Sequence, residues 1–197
     1  MSRFAPRDVR DVGRLIEAEV LGIVTTHDGL GFIATPLPLL AECGERGEVR
    51  DIIGHFARGN PHVARAKRCP NAQITFLGAH RYISPSMLSQ PDWAPTWNYQ
   101  FAQFEVEIEF EPERNDAAIR ALVTRMEGTG EAAWSVERVG ARYERLTTNV
   151  VAFRAHVQRA TARFKLGQDE NRKTFDEIVA SLGGDRLAQA MLEQRFD

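Results

Sequence analysis

The sequence predicts an α+β fold built on an antiparallel sheet or barrel. Three observations carry that prediction. Short strand-like runs bounded by turn residues recur through the chain. Helical periodicities are interspersed among them without regular strand–helix–strand alternation, so a parallel sheet is not expected. Two amphipathic stretches separated by Gly183-Gly184 close the chain as a helical tail. At 197 residues, with 43% hydrophobic residues, the chain is long enough to bury a proper core.

The elements follow in order. Val9, Val12, Leu15, Ile16 and Val20 fall at helical spacing, with Asp8 as N-cap and Gly22 past the end. Ile23–Thr26 and Phe32–Thr35 flank His27-Asp28-Gly29, a hairpin signal. Pro36-Leu37-Pro38-Leu39-Leu40 should not sit within a sheet, because proline lacks the ladder donor. Val49–Ile53 is a strand leading into Gly54-His55-Phe56-Ala57-Arg58-Gly59-Asn60-Pro61, with His62–Cys69 a short basic helix stopped by Pro70. Gln73–Leu77 is a strand, and 81–95 an irregular loop with three prolines, kept ordered by nearby aromatics. Phe104–Phe110 alternates apolar residues with Glu105, Glu107 and Glu109, which reads as a solvated outer face. Asn115–Glu127 is a helix with Ile119, Leu122, Val123 and Met126 inward, Glu137–Leu146 a second helix, and Val150–Val157 a strand. Helices over Asp169–Leu182 and Asp185–Phe196 use Leu182, Leu187, Met191 and Leu192 to pack on the barrel or on another chain.

Composition narrows the function. A net charge of −2 offers no bulk attraction to nucleic acid or an anionic membrane. No apolar run approaches the roughly 20 residues of a spanning helix, and the first residues lack the order of a secretory signal. Cys43 and Cys69 are far apart and without CxxC spacing, so neither a disulfide framework nor a structural zinc is indicated. A reduced cytoplasmic protein is expected.

No GxSxG elbow, Walker loop, HExxH or GxGxxG after a strand appears, and the five histidines are dispersed. Anion-binding and ring-stacking residues recur instead. Thr25, Thr26 and Thr35 supply hydroxyls near strand ends, while Arg58, Lys165 and Gln168 supply charge and donors. Phe56, Trp97 and Tyr99 offer flat apolar surfaces. A cofactor with a phosphate at one end and an aromatic ring at the other would use such a set. Structural readings stand beside this one, since threonine is common in strands, tryptophan is usually core, and Gly-Asn-Pro is an ordinary turn.

Five segments together resemble the PaiB family, described as FMN-binding negative transcriptional regulators. They are Gly54–Pro61, Phe32–Leu39, Gly78–Ser86, the run Pro95-Thr96-Trp97-Asn98-Tyr99, and Lys165-Leu166-Gly167-Gln168. The resemblance runs from the N-terminus to about Leu182. It implies a mainly antiparallel split β-barrel with peripheral helices over residues 1–164. Residues 165–197 would form a helical extension on the barrel or on a dimer partner. It also implies a homodimer with FMN in a cleft between subunits and flavin-dependent oxidoreductase or regulatory capacity. The site implied is Thr35, His55, Phe56, Arg58, Asn60, Trp97, Lys165 and Gln168, with Arg58 and Lys165 on the phosphate and Trp97 walling the ring.

The family pattern is broken at Pro36, His62, Val63, Met87, Gly167 and Asp169, and a carboxylate at Asp169 would repel a nearby phosphate. Two other roles are open. Related split barrels hold haem, for which His55 would be the axial ligand. Direct DNA binding would use Arg58, His62, Arg65, Lys67 and Arg68, or the tail cluster Arg159, Arg163, Lys165, Arg172 and Lys173.

Overall fold

The computed structural model describes residues 2–195. Helix α1 (Arg10–Glu19) leads into strands β1 (Leu21–His27), β2 (Phe32–Cys43) and β3 (Val49–Ala57), then helix α2 (Pro61–Arg68). Strands β4 (Asn71–Ile83) and β5 (Thr96–Phe110) follow, then α3 (Asn115–Glu127), α4 (Tyr143–Thr148), β6 (Val150–Lys165), α5 (Arg172–Leu182) and α6 (Arg186–Glu193). Every strand pairing is antiparallel, and the order β1-β2-β3-β6-β5-β4 closes on itself as a barrel. The predicted fold class is therefore observed.

Alternation explains the core. Val24, Leu39, Ile52, Phe56, Ile74, Phe104 and Phe153 point inward and are fully enclosed or nearly so. Leu15 and Ile16 of α1 join the same core, as do Phe175 and Ile178 of α5 and Leu187 and Met191 of α6. The tail therefore packs on the barrel of its own chain. Leu192 remains exposed, and Phe196 lies outside the described residues.

Several elements differ from their sequence reading. Pro36 and Pro38 do lie within β2, opposite Ile23 and Leu21 of β1. The Leu39 N–H points toward β1, donating to the Val20 carbonyl at 2.8 Å. By alternation the two proline nitrogens face away from β1, where the β2–β3 ladder begins only at Leu39. Gly22 is not a helix stop but part of β1, where a Cβ would come within 2.8 Å of Phe76 and Leu39. The turn out of α1 is made by Val20 at φ 56° instead. Strands β4 and β5 run well past their expected ends, because a bulge at Gly78-Ala79 lets β4 resume pairing at His80↔Tyr99.

Outside the barrel, α3 packs against β3 and β6. Ile119, Leu122 and Val123 are only half-buried and Met126 is exposed; a helix laid on the outer wall has solvent along one side. The predicted helix from Glu137 divides into a 3-10 segment, Val136–Arg142, and α4, because Gly140 takes φ 63° between them. The β5 glutamates face outward, as expected, and two of them meet basic side chains there: Glu105 pairs with Arg159 and Glu109 with His156. No helix among the described residues is long and apolar enough to cross a membrane.

Candidate functional site

The segment Gly54–Pro61 does three different jobs. Its first half continues β3, so Phe56 points inward and is completely buried against Phe153, Phe110 and His62. That placement removes Phe56 from any surface on which a cofactor ring could stack. Arg58 leaves the strand and spends its fork on main chain, with Nε donating to the Thr148 carbonyl at 2.6 Å and a terminal nitrogen to Val150 at 2.9 Å. It ties the end of β3 to the start of β6. Arg58→Ala is expected to cost about 1 kcal/mol of stability and to leave FMN affinity unchanged within twofold, read from paired urea melts and flavin titrations.

Asn60 caps α2, its Oδ1 accepting from the His62 N–H at 2.9 Å, and Pro61 takes the first helical position. The helix thereby drives His62 into the barrel end, where it is fully enclosed. One ring nitrogen lies 2.9 Å from the Thr35 hydroxyl and the other 2.9 Å from that of Thr26. Burial, with Arg65 adding to it, pushes the His62 imidazole below its ordinary pKa. Thr35 and Asn60 thus serve a neutral, satisfied plug. Beside it, Asp28 in the β1–β2 turn is clasped by Arg65 and Arg68, which hold its carboxyl well below the usual range.

His55 lies on the outer side of β3, its Nδ1 buried without a partner and its pKa lowered by desolvation. It lines neither of the cavities described next. One, of about 360 Å³, lies between the end of β6 and the tail and is lined by Leu166, Gly167, Gln168, Phe175, Met191 and Arg195. Gln168 folds back on its own turn, accepting from Leu166 N–H at 2.7 Å and donating to the Phe164 carbonyl at 2.6 Å. Gly167 takes φ +83° with Met191 Cε 3.0 Å from its would-be Cβ, a position that favours glycine. The other cavity, of about 420 Å³, opens on the outer sheet face among Thr25, His27, Phe32 and Gln73.

Trp97 and Lys165 stand apart from all of these. Trp97 is 53% exposed at the start of β5. The Lys165 ammonium is fixed by the Thr96 hydroxyl and by the Trp97 carbonyl at 3.1 Å. No carboxylate pairs with it among the described residues, so one cation is held in place with capacity to spare. The sequence reading missed its company: His80 and Tyr82, opposite Tyr99 and Trp97 on β4, present rings on the same face. The β4 bulge aims them there, and Gly78 was the available signal. Thr35 does not join this group. Its row across the barrel passes Val24 and Ile74 to reach β5 at Phe104, five residues from Tyr99. That separation is about 17 Å along the strand, with further strands between.

Most members of the two basic clusters have contacts of their own. His62 is enclosed, Arg65 and Arg68 hold Asp28, Arg159 pairs with Glu105, Arg163 lies over Phe4, and Arg172 and Lys173 face Asp176 and Glu177.

Residues 1–159 match the profile of the family described as "Putative FMN-binding domain". The chain belongs to this family. Among curated proteins it is similar to the protease synthase and sporulation protein PAI 2 of Bacillus subtilis, 25% identical over 181 residues and covering 91% of this chain and 86% of that one. Among solved structures it is similar to an FAD and haem binding protein from Mycobacterium smegmatis, with a TM-score of 0.58 at 14% identity over 89% of this chain and 78% of that one. The flavocytochrome Anf3 from Azotobacter vinelandii gives 0.59 at 12% identity, over 78% of this chain and 65% of that one. At those identities the structural matches speak for the barrel alone. The residues at Trp97 fit the family's flavin, since by register the His80, Tyr82 and Trp97 rings share a sheet face with Lys165, whose ammonium pairs with no carboxylate among the described residues.

Proposed function

We propose that this family member binds FMN on the surface formed by the ends of β4, β5 and β6, as one copy of a homodimer in the cytoplasm. The observation that carries the reading is the Lys165 ammonium, anchored to the Thr96 hydroxyl and to the backbone carbonyl of the half-exposed Trp97, and paired with no carboxylate among the described residues. Trp97 and Tyr82 would shield a face of the ring, and Lys165 would meet the phosphate charge. The flavin supplies the electron-transfer chemistry, so the protein has only to bind, orient and exclude water, in keeping with a chain without a nucleophile motif.

The dimer reading rests on the open outer face of β1, β2 and β4. Leu21, Ile23, Phe32 and Leu77 are each close to half exposed or more, an apolar area that a second copy would cover. FMN is preferred over haem because the family that residues 1–159 match is described as FMN-binding, and His55, the candidate axial ligand, lies on a different strand from the Trp97 and Lys165 surface.

Light scattering of the purified protein should give twice the 22.2 kDa chain mass. FMN added at low micromolar protein should lose fluorescence and gain a shifted, structured absorbance. Lys165→Met should weaken that binding about tenfold, the value of one charge-assisted contact. A titration that stays unsaturated at tens of micromolar overturns the flavin reading, and a mass equal to one chain overturns the dimer.

A further inference from the structure

We infer that His80 is a recognition residue of the flavin surface, its Nε2 accepting a hydrogen bond from the ring N–H of the bound isoalloxazine. The inference rests on the FMN reading above and deepens it.

The tautomer is decided by the bulge. Nδ1 of His80 lies 2.8 Å from the Gly78 carbonyl oxygen. A carbonyl only accepts, so Nδ1 carries the hydrogen, and in the neutral imidazole the lone pair then sits on Nε2. Gly78 and Ala79 form the bulge after Leu77, and bulges re-aim the side chain that follows. The same irregularity therefore turns His80 outward and fixes which of its nitrogens can accept. His80 is exposed, and no hydrogen bond to Nε2 is formed among the described residues.

The surroundings say what kind of donor suits that atom. The His80 and Trp97 rings are near-parallel, 26° apart with centroids separated by 6.4 Å, and Tyr82 lies 6.0 Å from Trp97. His80 and Lys165 flank Tyr99 from the neighbouring strands, so an acceptor and a cation bracket one aromatic row. Such a surface selects a planar heterocycle that carries both an N–H on its edge and negative charge elsewhere. The oxidised isoalloxazine has a single ring N–H, set between two carbonyls. An acceptor fixed in its tautomer discriminates for that edge, because a ring without the N–H would leave Nε2 covered and unpaired.

The test is a chemical cycle read by flavin fluorescence quenching, with FMN and N3-methyl-FMN titrated into the wild-type protein and into His80→Phe. The phenylalanine keeps a flat ring and removes the acceptor. Wild type should bind the methylated flavin about tenfold more weakly than FMN. His80→Phe should bind FMN about tenfold more weakly than wild type and should no longer tell the two flavins apart. Equal affinities for both flavins in wild type, or retained discrimination in His80→Phe, would overturn the assignment while leaving the flavin site standing. Failure of wild type to bind FMN at all overturns the flavin reading and this one with it. The comparison of the two flavins on the wild-type protein needs no variant to fold.

Discussion

Phe56→Ala should destabilise the protein by about 3–5 kcal/mol, the usual cost of emptying a buried aromatic site. Trp97→Ala should cost less than about 1 kcal/mol, yet weaken FMN binding at least tenfold. Both residues look like ring-stacking candidates when only the sequence is considered. Phe56 is entirely enclosed, with Phe153, His62 and Phe110 rings at 5.0, 5.1 and 6.2 Å, whereas Trp97 is 53% exposed. Urea melts followed by flavin titration on each variant separate the two roles. A Phe56→Ala protein of unchanged stability, or a Trp97→Ala protein of unchanged affinity, would contradict the placement.

The second large effect concerns acid. His62 is pushed below its ordinary pKa by burial, and His55 is lowered in the same way. The unfolded chain, with histidines near 6.5, then binds protons that the folded chain refuses. Their contribution to stability is therefore complete above about pH 6.5 and is lost as pH falls from there toward the folded values. His156 has the opposite sign. Glu109 and Asp51, at 3.0 and 2.7 Å, raise its pKa, so its contribution is complete below the unfolded value and fades as pH rises through the folded one. His156 is 40% exposed, and solvent screening keeps that pair weak. The His62 effect should prevail. His62→Gln should lose about 1–3 kcal/mol at pH 7.5, from two broken hydroxyl contacts, and should also flatten the decline in stability between pH 6.5 and 5. Parallel pH profiles for the two proteins would show that His62 does not carry the acid sensitivity.

Much of the architecture was legible because alternation is a local property. Phe104–Phe110 reads as a strand from seven residues, and its glutamates face outward as that pattern requires. The α2 helix was legible as the basic run His62–Cys69 stopped by Pro70, although Asn60 and Pro61, which read as an ordinary turn, prove to be its cap and first residue. The limits of β4 and the place of Pro36 and Pro38 were not. A bulge at Gly78-Ala79 is stable only because β5 resumes pairing beyond it, and a proline fits within a strand only where the neighbouring ladder has not begun.

The candidate site divides along the same line. Sequence by itself determined the residue types for binding an anionic, planar cofactor, and its motifs placed the chain in the right family. Tertiary structure decided which of those residues are available. It buried Phe56, spent Arg58 on two carbonyls and committed Thr35 and Asn60 to the His62 plug. It left Lys165 without a carboxylate partner among the described residues and brought His80 and Tyr82 beside Trp97. The physical reason is that a side chain's chemistry is fixed by its atoms, whereas its availability depends on which neighbours the closed barrel supplies. Those neighbours come from strands far apart in sequence.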